Sequence, residues 1–508
     1  MKHRRILSGL AALMLAASLP MSALAREWDI ADGDITIVAD NDGQKVSQGT
    51  ENDISDDNPV IIGNSATNTV SIVAEKDRTA NVTLSGANID GSTKGNAAVS
   101  TTGEGNVSIE LDGDNTLKSG KGHAGLEKKN GGMLTIADED KNGKLTAEGG
   151  KYGAGIGGGD QGAGSGITIT GGEIKATGGQ YGAGIGGGKG AGSDITISGG
   201  EVNATGGTSG AGIGGGYNGN GSDITITDGE VNATGGKYGA GIGGGEYGIG
   251  KDIIITGGEV NATGGRFSAG IGGGSRGTGS DITISGGEVN ASGGVNGAGI
   301  GGGLRSKGKD ITVSGDTKLK VQGGDEDHYD GAGAGIGDGG SNAYGTKILG
   351  AEVEPDTSGL TTGRIEYYAP GADMDKDAPS QTIVGTYIPP QPAREAAAPA
   401  QPAAPLYRVT DGDGKDVSYE TTWRDGVLTV TVEADRAVLT GRLSGIASLQ
   451  AQGIERIVFI TKGATSEFLT ADLLAAAPAT ERYALSHDGE AVTFTAGEAD
   501  VSGILVKA

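Results

Sequence analysis

Three oxygen-bearing side chains follow one another at the spacing that opens calcium-binding loops. Asp138, Asp140 and Asn142 precede Gly143, which fits the pattern D-x-[DN]-x-[DN]-G. This spacing converges three oxygen side chains on one cation, and the glycine permits the tight bend. We therefore predict calcium ligands here. The twelfth position is Gly149 instead of Glu, so an ordinary turn held by Asp and Asn side chains is the alternative.

A second acidic segment contains Asp325, Asp327 and Asp330, and it predicts further calcium ligands. It lies in a repeat about seven residues longer than its neighbours, and insertions in repeat proteins often carry function. A solvated capping loop is the alternative.

Aromatic residues recur directly before a Gly-rich phrase, at Tyr152, Tyr181, Tyr238 and Phe267. If these rings are exposed one coil apart, they form a platform on which sugar rings stack. We therefore predict that they bind carbohydrate. The alternative is that the rings cover a corner of the fold, which Ser209 and Asn296 at the same position favour.

Two acidic positions also recur once per repeat. The first is occupied by Glu173, Glu201, Glu230, Glu259 and Glu288, and the second by Asp194, Asp223, Asp252, Asp281 and Asp310. In-register stacking would place like charges about 5 Å apart, a repulsion that divalent cations or basic ligand groups relieve. The alternatives are a solvated polar ladder for the Glu row and turn-forming backbone contacts for the Asp row.

No pattern in the chain predicts catalysis. The segment 153–158 fits the dinucleotide pattern G-x-G-x-x-G, but a phosphate cradle needs a helix directly after it, and another strand pattern follows here. An active site is a unique constellation, whereas these repeats are nearly identical. We therefore predict a protein that is not an enzyme.

The repeat itself sets the fold. The phrase Gly-Ala-Gly-Ile-Gly-Gly-Gly, with near-copies, places Ile at 156, 185, 213, 242, 271, 300 and 336, so most steps are 28 or 29 residues. Equal steps with matching chemistry indicate one unit stacked on copies of itself.

Each repeat contains three short runs with alternating apolar residues. In 194–216 the inward residues are Ile195 and Ile197, then Val202 and Ala204, then Ala211 and Ile213. Glycine pairs separate the runs. Three strands per lap predict an all-β parallel β-helix of about nine coils over 80–340.

The rest of the chain divides by composition. Residues 1–25 have the basic start, apolar stretch and Ala-Leu-Ala site of a signal peptide, so a secreted, extracellular protein is expected. We predict a capping region at 26–79, a C-terminal cap at 341–388 and a Pro/Ala-rich linker at 389–405. A small α+β domain is predicted at 406–508, with strands at 427–432 and 454–460 and helices at 443–452 and 466–477.

The charge limits the partners. The formal net charge is −25, and −28 without the three Lys and Arg of the signal. Such an acidic chain repels nucleic acid and attracts divalent cations. No further apolar stretch is long enough to span a bilayer, so membrane insertion is not expected.

The repeats resemble secreted bacterial carbohydrate-binding-domain proteins with a right-handed parallel β-helix. The resemblance rests on the phrases Asp-Ile-Thr-Ile-x-Gly-Gly-Glu-Val-Asn-Ala-Thr-Gly-Gly and Gly-Ala-Gly-Ile-Gly-Gly-Gly and covers about 80–340. It implies a non-catalytic protein that binds a polysaccharide or cell-surface glycan, with calcium as a cofactor.

Two other functions stay open. One is a structural stalk or adhesin-like surface protein that presents 406–508, with other cell-surface proteins as partners. The other is a polysaccharide lyase, which is the least favoured because the basic residues of the coils recur at no one matching position.

Overall fold

The computed structural model describes residues 26–343, 346–385, 407–412, 415, 417–424, 426–451, 453–476, 482–489, 491–497 and 499–506. The predicted signal peptide at 1–25 and linker at 389–405 lie outside these residues. The chain forms two compact units, which divide after Gly385.

The first unit is a parallel β-solenoid, which confirms the predicted fold class. Each coil contributes three short strands, such as Gly164–Ile169, Glu173–Thr177 and Ile185–Gly186. Each strand pairs in register with its counterpart in the next coil. We name the three stacks ladder A, ladder B and ladder C, in the order of these examples.

The strand bounds follow the ladders. Ladder A contains Glu27–Asp29, Val60–Ile62, Thr79–Ser85, Asn106–Asp112, Leu134–Ala137, Gly164–Ile169, Gly250–Ile255, Gly279–Ile284 and Gly308–Val313. Ladder B contains Asn64–Ser65, Asn88–Asp90, Asp114–Lys118, Lys144–Glu148, Glu173–Thr177, Glu259–Thr263, Glu288–Ser292, Lys318–Gln322 and Arg364–Tyr368. Two longer strands, Gly192–Thr205 and Gly221–Thr234, contribute to both ladders.

Ladder C contains Ile35–Asp40, Val70–Ala74, Val99–Gly103, Leu126–Lys128, Ile156–Gly157, Ile185–Gly186, Ile213–Gly214, Ile242–Gly243, Ile271–Gly272, Ile300–Gly301 and Ile336–Gly337. Short 3-10 helices occur at Ile30–Asp32 and Gly91–Thr93.

The solenoid begins earlier than the sequence predicted. Residues 26–79, expected to form an irregular cap, contribute parallel strands to all three ladders. The described part of ladder C therefore has eleven parallel strands, more than the nine coils expected over 80–340. The period was hidden because a hairpin, Gly43–Gln48 and Glu51–Ser55, is inserted into the first coil.

Antiparallel strands cover both ends. The hairpin Gly43–Gln48 and Glu51–Ser55 pairs beside Ile35–Asp40 and covers the open edge of ladder C. At the other end, Gln381–Val384 pairs antiparallel with Arg364–Tyr368 and ends ladder B. A second hairpin joins Ser341–Ala343 to Thr346–Ile348.

The core of the solenoid is a stack of aliphatic side chains. The isoleucines of ladder C, such as Ile213 and Ile242, are fully buried and lie opposite each other in successive coils. From Ile156 to Ile336, the residue after each ladder C isoleucine is glycine, and close stacking of the coils requires it. Gly243 has φ +130°, and a Cβ there would lie 2.0 Å from the carbonyl oxygen of Gly272.

The recurring Asp row has a backbone explanation. Asp194, Asp223, Asp252, Asp281 and Asp310 all have φ between 50° and 56°. Asp is one of the few side chains tolerated in this left-handed region. This conformation explains why Asp recurs at this position. Three of these side chains contact the preceding residue: Asp252 pairs with Lys251, Asp281 with Ser280 and Asp310 with Lys309.

The second unit contains two small sheets and two helices. One sheet has Tyr407–Thr410, Arg436–Arg442, Arg482–Asp488, Ala491–Ala496 and Ala499–Asp500, and the other has Glu420–Arg424, Val427–Thr431, Arg456–Ile460 and Thr465–Leu469. The α-helices are Leu443–Ala451 and Thr470–Ala476, and Ser502–Ile504 is a 3-10 helix. The helix predicted at 466–477 begins late, because Thr465–Leu469 pairs with Arg456–Ile460 as a strand.

Candidate ligand-binding surface

Four predicted aromatic residues lie in the turn between ladder B and ladder C. Tyr152 and Tyr181 are one coil apart, and their rings stack with centroids 5.4 Å apart and planes at 14°. Tyr238 and Phe267, further along, stack at 5.8 Å and 11°. In-register coils thus bring together rings that are 29 residues apart in the chain.

Two further aromatic residues join them from the turn after ladder C. The ring of Tyr217 meets Tyr181 at 5.6 Å and 70°, and Tyr247 meets Tyr217 at 6.2 Å and 83°. The backbone N–H of Tyr217 donates to the carbonyl of Tyr181 at 2.8 Å, which holds the two turns side by side. We call Tyr152, Tyr181, Tyr217, Tyr238, Tyr247 and Phe267 the aromatic edge.

Sequence reasoning missed Tyr217 and Tyr247 because they stand at different offsets after Gly-Gly-Gly. Tyr217 follows Gly216 directly, whereas Tyr247 comes two residues after Gly245. A comparison of the turns after this phrase, in addition to those before it, would have found both.

The rings do not form the open, flat platform that the sequence suggested. In the stacked pairs each ring covers a face of its neighbour. The contacts of Tyr217 with Tyr181 and Tyr247 are edge-to-face, so these rings do not stack face to face with one another. Tyr247 is 46% exposed. The other five rings are half-buried. The aromatic edge therefore presents both the rims and the faces of its rings to a ligand.

Cationic side chains lie over these rings. The Nζ atoms of Lys121, Lys151 and Lys189 are 5.6, 5.3 and 5.4 Å from the centroid of Tyr152. We call these three residues the lysine cluster. Farther along, Lys237 lies over Tyr238, Arg266 over Phe267 and Arg276 over Tyr247. These contacts are attractive because the face of an aromatic ring carries partial negative charge.

The two interruptions of the aromatic row have structural roles. Ser209 donates its hydroxyl to Glu246 at 2.7 Å. Asn296 is fully buried and donates its side-chain amide to the carbonyls of Asp330 and Gly331. The long repeat is therefore anchored where the aromatic row ends.

The first predicted calcium segment is arranged as a turn. The two carboxylate oxygens of Asp138 accept the backbone N–H groups of Asn142 and Gly143 at 3.2 and 3.1 Å. Asp140 accepts the side-chain amide of Asn142 at 2.8 Å. This is the geometry of the Asp/Asn turn that was the alternative to calcium.

Beside that turn lies an open acidic groove of about 460 Å³. It is lined by Ser108, Glu110, Glu139 and Asp140, among others. Burial raises the pKa of Glu110, and the neighbouring carboxylates add to the rise, although the backbone N–H of Glu139 opposes it.

In the second predicted calcium segment, Asp327 and Asp330 bind other groups of the protein. Asp330 is buried, and its two oxygens accept bonds from the guanidinium of Arg305 at 2.9 and 3.0 Å. Asp327 accepts the backbone N–H groups of Tyr329 and Asp330. Burial opposes ionisation of Asp327, but these bonds and the positive charges of Arg266 and Lys347 together outweigh it and lower its pKa. Asp325 is exposed.

These six residues do not fit a calcium site as they stand. Asp138 and Asp330 already use both carboxylate oxygens within the protein. Across the described ranges, no group of three or more His, Cys, Asp or Glu is arranged to hold a metal ion. Calcium binding stays a prediction without a defined set of ligands.

The outer face of ladder B is a uniform polar surface. The five Glu of the recurring row pair in register and are exposed, with Lys144 before Glu173 and Lys318 after Glu288. A parallel row of four Asn forms a chain in which each amide donates to the preceding oxygen, at 3.1, 2.9 and 2.7 Å: Asn203, Asn232, Asn261 and Asn290. We call these two rows the polar face.

A charged group near the start of the aromatic edge was not predicted. Glu127 occupies the position that is Gly157 in the next coil, and it is buried. Its carboxylate lies 2.6 Å from Nδ1 of His123 and 2.9 Å from Nζ of Lys129. Because a carboxylate accepts only, His123 carries a proton on Nδ1. In the sequence, the only sign of this group was that a charged residue, Glu127, stands where the later repeats have glycine.

The second unit holds a buried histidine between two hydroxyls. His487 Nδ1 lies 3.0 Å from Oγ1 of Thr461, and Nε2 lies 2.8 Å from Oγ of Ser466. Burial lowers the pKa of His487 to about 4, so the ring is neutral at pH 7. Both ring nitrogens are thus engaged inside the protein.

Comparison with known proteins supports the fold. A family model described as a beta helix repeat matches residues 141–160, 167–189, 195–217, 224–246, 253–275 and 282–304. These segments are similar to that family and contain five of the six residues of the aromatic edge, all but Tyr247. No curated protein and no solved structure matches the chain significantly. Within the part of the chain that the structure describes, no helix is both long and apolar enough to cross a bilayer.

Proposed function

We propose that this parallel β-helix protein is a secreted, non-catalytic polysaccharide-binding protein whose ligand lies along the aromatic edge. The observation that carries the proposal is the continuous contact of Tyr152, Tyr181, Tyr217 and Tyr247 over neighbouring coils. Aromatic rings attract the C–H groups of sugars because ring faces are partially negative. A row of such rings suits a long, repetitive ligand.

The surroundings of the edge support a polar ligand. Lys121, Lys151, Lys189 and Arg276 lie close to these rings and supply hydrogen-bond donors. The turns that carry the rings are held by coil stacking and by the backbone hydrogen bond from Tyr217 to Tyr181. Ligand binding therefore costs little conformational entropy in these turns. The basic start and apolar stretch at 1–25 support export.

Binding of polysaccharides to the full mature chain tests the proposal. A double variant, Tyr181→Ala with Tyr217→Ala, removes the middle of the edge and is expected to weaken binding about tenfold or more. Tyr329→Ala is the matched control, because Tyr329 is 69% exposed but lies outside the edge. Isothermal titration calorimetry measures both variants against wild type.

Three results would contradict the proposal in whole or in part. Equal binding by the double variant and by wild type would place the ligand elsewhere, for example on the second unit of a stalk-like protein. Release of oligosaccharides from polygalacturonate by the purified protein would contradict the non-catalytic part. If the double variant only lost stability while its affinity was unchanged, the rings would serve the fold alone.

A further inference from the structure

We infer that the polysaccharide is acidic, and that one of its carboxylate or sulfate groups binds at the lysine cluster around Tyr152. This inference rests on the proposed function and adds the chemical class of the ligand. It starts from an unusual concentration of positive charge: three ammonium groups lie within 5.6 Å of one ring centroid. The whole chain has only 39 Lys and Arg against 64 Asp and Glu.

The three ammonium groups come from three separate coils. Lys121 and Lys151 precede ladder C in successive coils, and Lys189 follows ladder C in the next one. In-register stacking therefore creates the cluster, as it creates the aromatic edge. Because each ammonium group lies within 5.6 Å of the same ring centroid, no two of them are more than about 11 Å apart. Like charges in this range repel one another, and a bound anion relieves that repulsion.

The lysine cluster is not neutralised within the described residues. None of its three members forms an ion pair there, whereas several other lysines do: Lys144 with Glu173, Lys251 with Asp252 and Lys309 with Asp310. Two acidic residues, Asp160 and Glu127, lie on segments that adjoin the cluster. Asp160 lies beside Gly122, and its backbone N–H donates to the Gly122 carbonyl at 2.7 Å.

The neighbouring acid that is buried is already paired. Glu127 is held by His123 and Lys129, so its charge is compensated without the lysine cluster. The Tyr152 ring supplies an apolar surface beneath the ammonium groups. A uronic acid or sulfated sugar matches this arrangement, because it offers C–H groups for the ring and an anion for the lysines.

The experiment compares polygalacturonate, dextran sulfate, dextran and polyglutamate as ligands of the full mature chain. The test variant replaces all three lysines by Gln: Lys121→Gln, Lys151→Gln and Lys189→Gln. A control with the same charge change replaces lysines outside the edge: Lys175→Gln, Lys251→Gln and Lys309→Gln. A third variant, Lys121→Arg with Lys151→Arg and Lys189→Arg, keeps the charge and shows whether the Gln variant acts through charge or through the fold.

We expect acidic polysaccharides to bind more tightly than dextran. The Gln variant of the cluster should weaken acidic binding about tenfold to a hundredfold, while the control and the Arg variant stay within about threefold of wild type. The preference for acidic ligands should largely vanish in about 0.5 M salt. The ratio of affinities for polygalacturonate and dextran sulfate tells carboxylate from sulfate recognition.

The outcomes separate this inference from the proposed function. Equal affinity for dextran and the acidic polymers, unchanged by the Gln variant, would overturn the inference and leave polysaccharide binding intact. Binding of no polysaccharide would overturn both. Binding of polyglutamate as tight as that of polygalacturonate would show a site for anions in general and overturn the assignment to acidic sugars.

Discussion

The polar face and the aromatic edge are built by the same repeat, but their side chains are used differently. On the polar face neighbouring coils offer the same residues, and the Asn side chains hydrogen-bond to one another: Asn232 bonds to both Asn203 and Asn261. The Glu row beside them repeats like charges in register. On the aromatic edge the residues change from coil to coil. There the cations of the lysine cluster meet rings and form no ion pair among the described residues.

The difference shows where a repeat protein can recognise a ligand. In a row of identical polar side chains the side chains hydrogen-bond to one another, so the row mainly stabilises the stack of coils. A turn that varies leaves groups unsatisfied by their neighbours, and these can bind something else. Substitutions in the core that supports both surfaces, and in each surface alone, test that division.

The largest effect is expected for Gly243→Ala, which breaks the core beneath both surfaces. Its φ is +130°, and the new Cβ would lie 2.0 Å from the carbonyl oxygen of Gly272. We expect a loss of at least about 3 kcal/mol in the free energy of unfolding, or no folding. Urea denaturation followed by circular dichroism measures it.

Gly86→Ala is the matched control. Gly86 also has a positive φ, +63°, but nothing lies within 4 Å of the added Cβ. Only backbone strain of about 1 kcal/mol is expected. Equal losses for the two variants would mean that close coil stacking does not explain the glycines.

The second-largest loss of stability is expected for Asp330→Ala, where the aromatic row ends. Asp330→Ala removes both bonds to Arg305 and leaves the guanidinium without this partner. Because Arg305 is partly exposed, we expect a loss of about 2 kcal/mol, less than for a fully buried pair. Asp325→Ala, at an exposed position, should change the stability little. If added calcium raised the melting temperature of wild type but not of Asp330→Ala, this structural role would be wrong.

A smaller effect is expected on the polar face. Asn232→Ala breaks two side-chain bonds within the Asn row, and we expect a loss of about 1–2 kcal/mol. Polysaccharide affinity should be unchanged. Weaker binding by this variant would contradict the division between the two surfaces.

The smallest effect is expected for Glu230→Gln. Glu230 lies in register between Glu201 and Glu259, so removal of its charge should stabilise the fold by a fraction of a kcal/mol. At the end of the row, Glu173→Gln loses the ion pair with Lys144 and should not stabilise. Thermal unfolding at low and high salt compares the two variants. The difference in stability between each variant and wild type should shrink at high salt.

The sequence predicted the parts of the fold that repeat at a constant step. Ile213 and Ile242 were placed correctly because 29 residues separate them and each is followed by glycine. The first coils were missed because their inserted hairpin breaks that step. Thr465–Leu469 was mistaken for helix because its pairing partner, not its own pattern, makes it a strand.

The candidate site was only partly predictable. Tyr152 and Tyr181 were found because they occupy one position of the repeat. Tyr217 joins them only through the contact of two different turns, which no single repeat reveals. Asp330 looked like a cation ligand because its partner, Arg305, lies 25 residues away in the chain.

Hydrogen–deuterium exchange of the full mature chain, with and without polygalacturonate, locates the ligand on the molecule. If the polysaccharide lies along the aromatic edge, it slows exchange in the turns at 150–153, 179–182, 216–219 and 245–248. Exchange in the strands of the polar face, at 201–205 and 230–234, should stay unchanged. Protection confined to the polar face or to residues after 406 would mean that the polysaccharide does not bind along the aromatic edge.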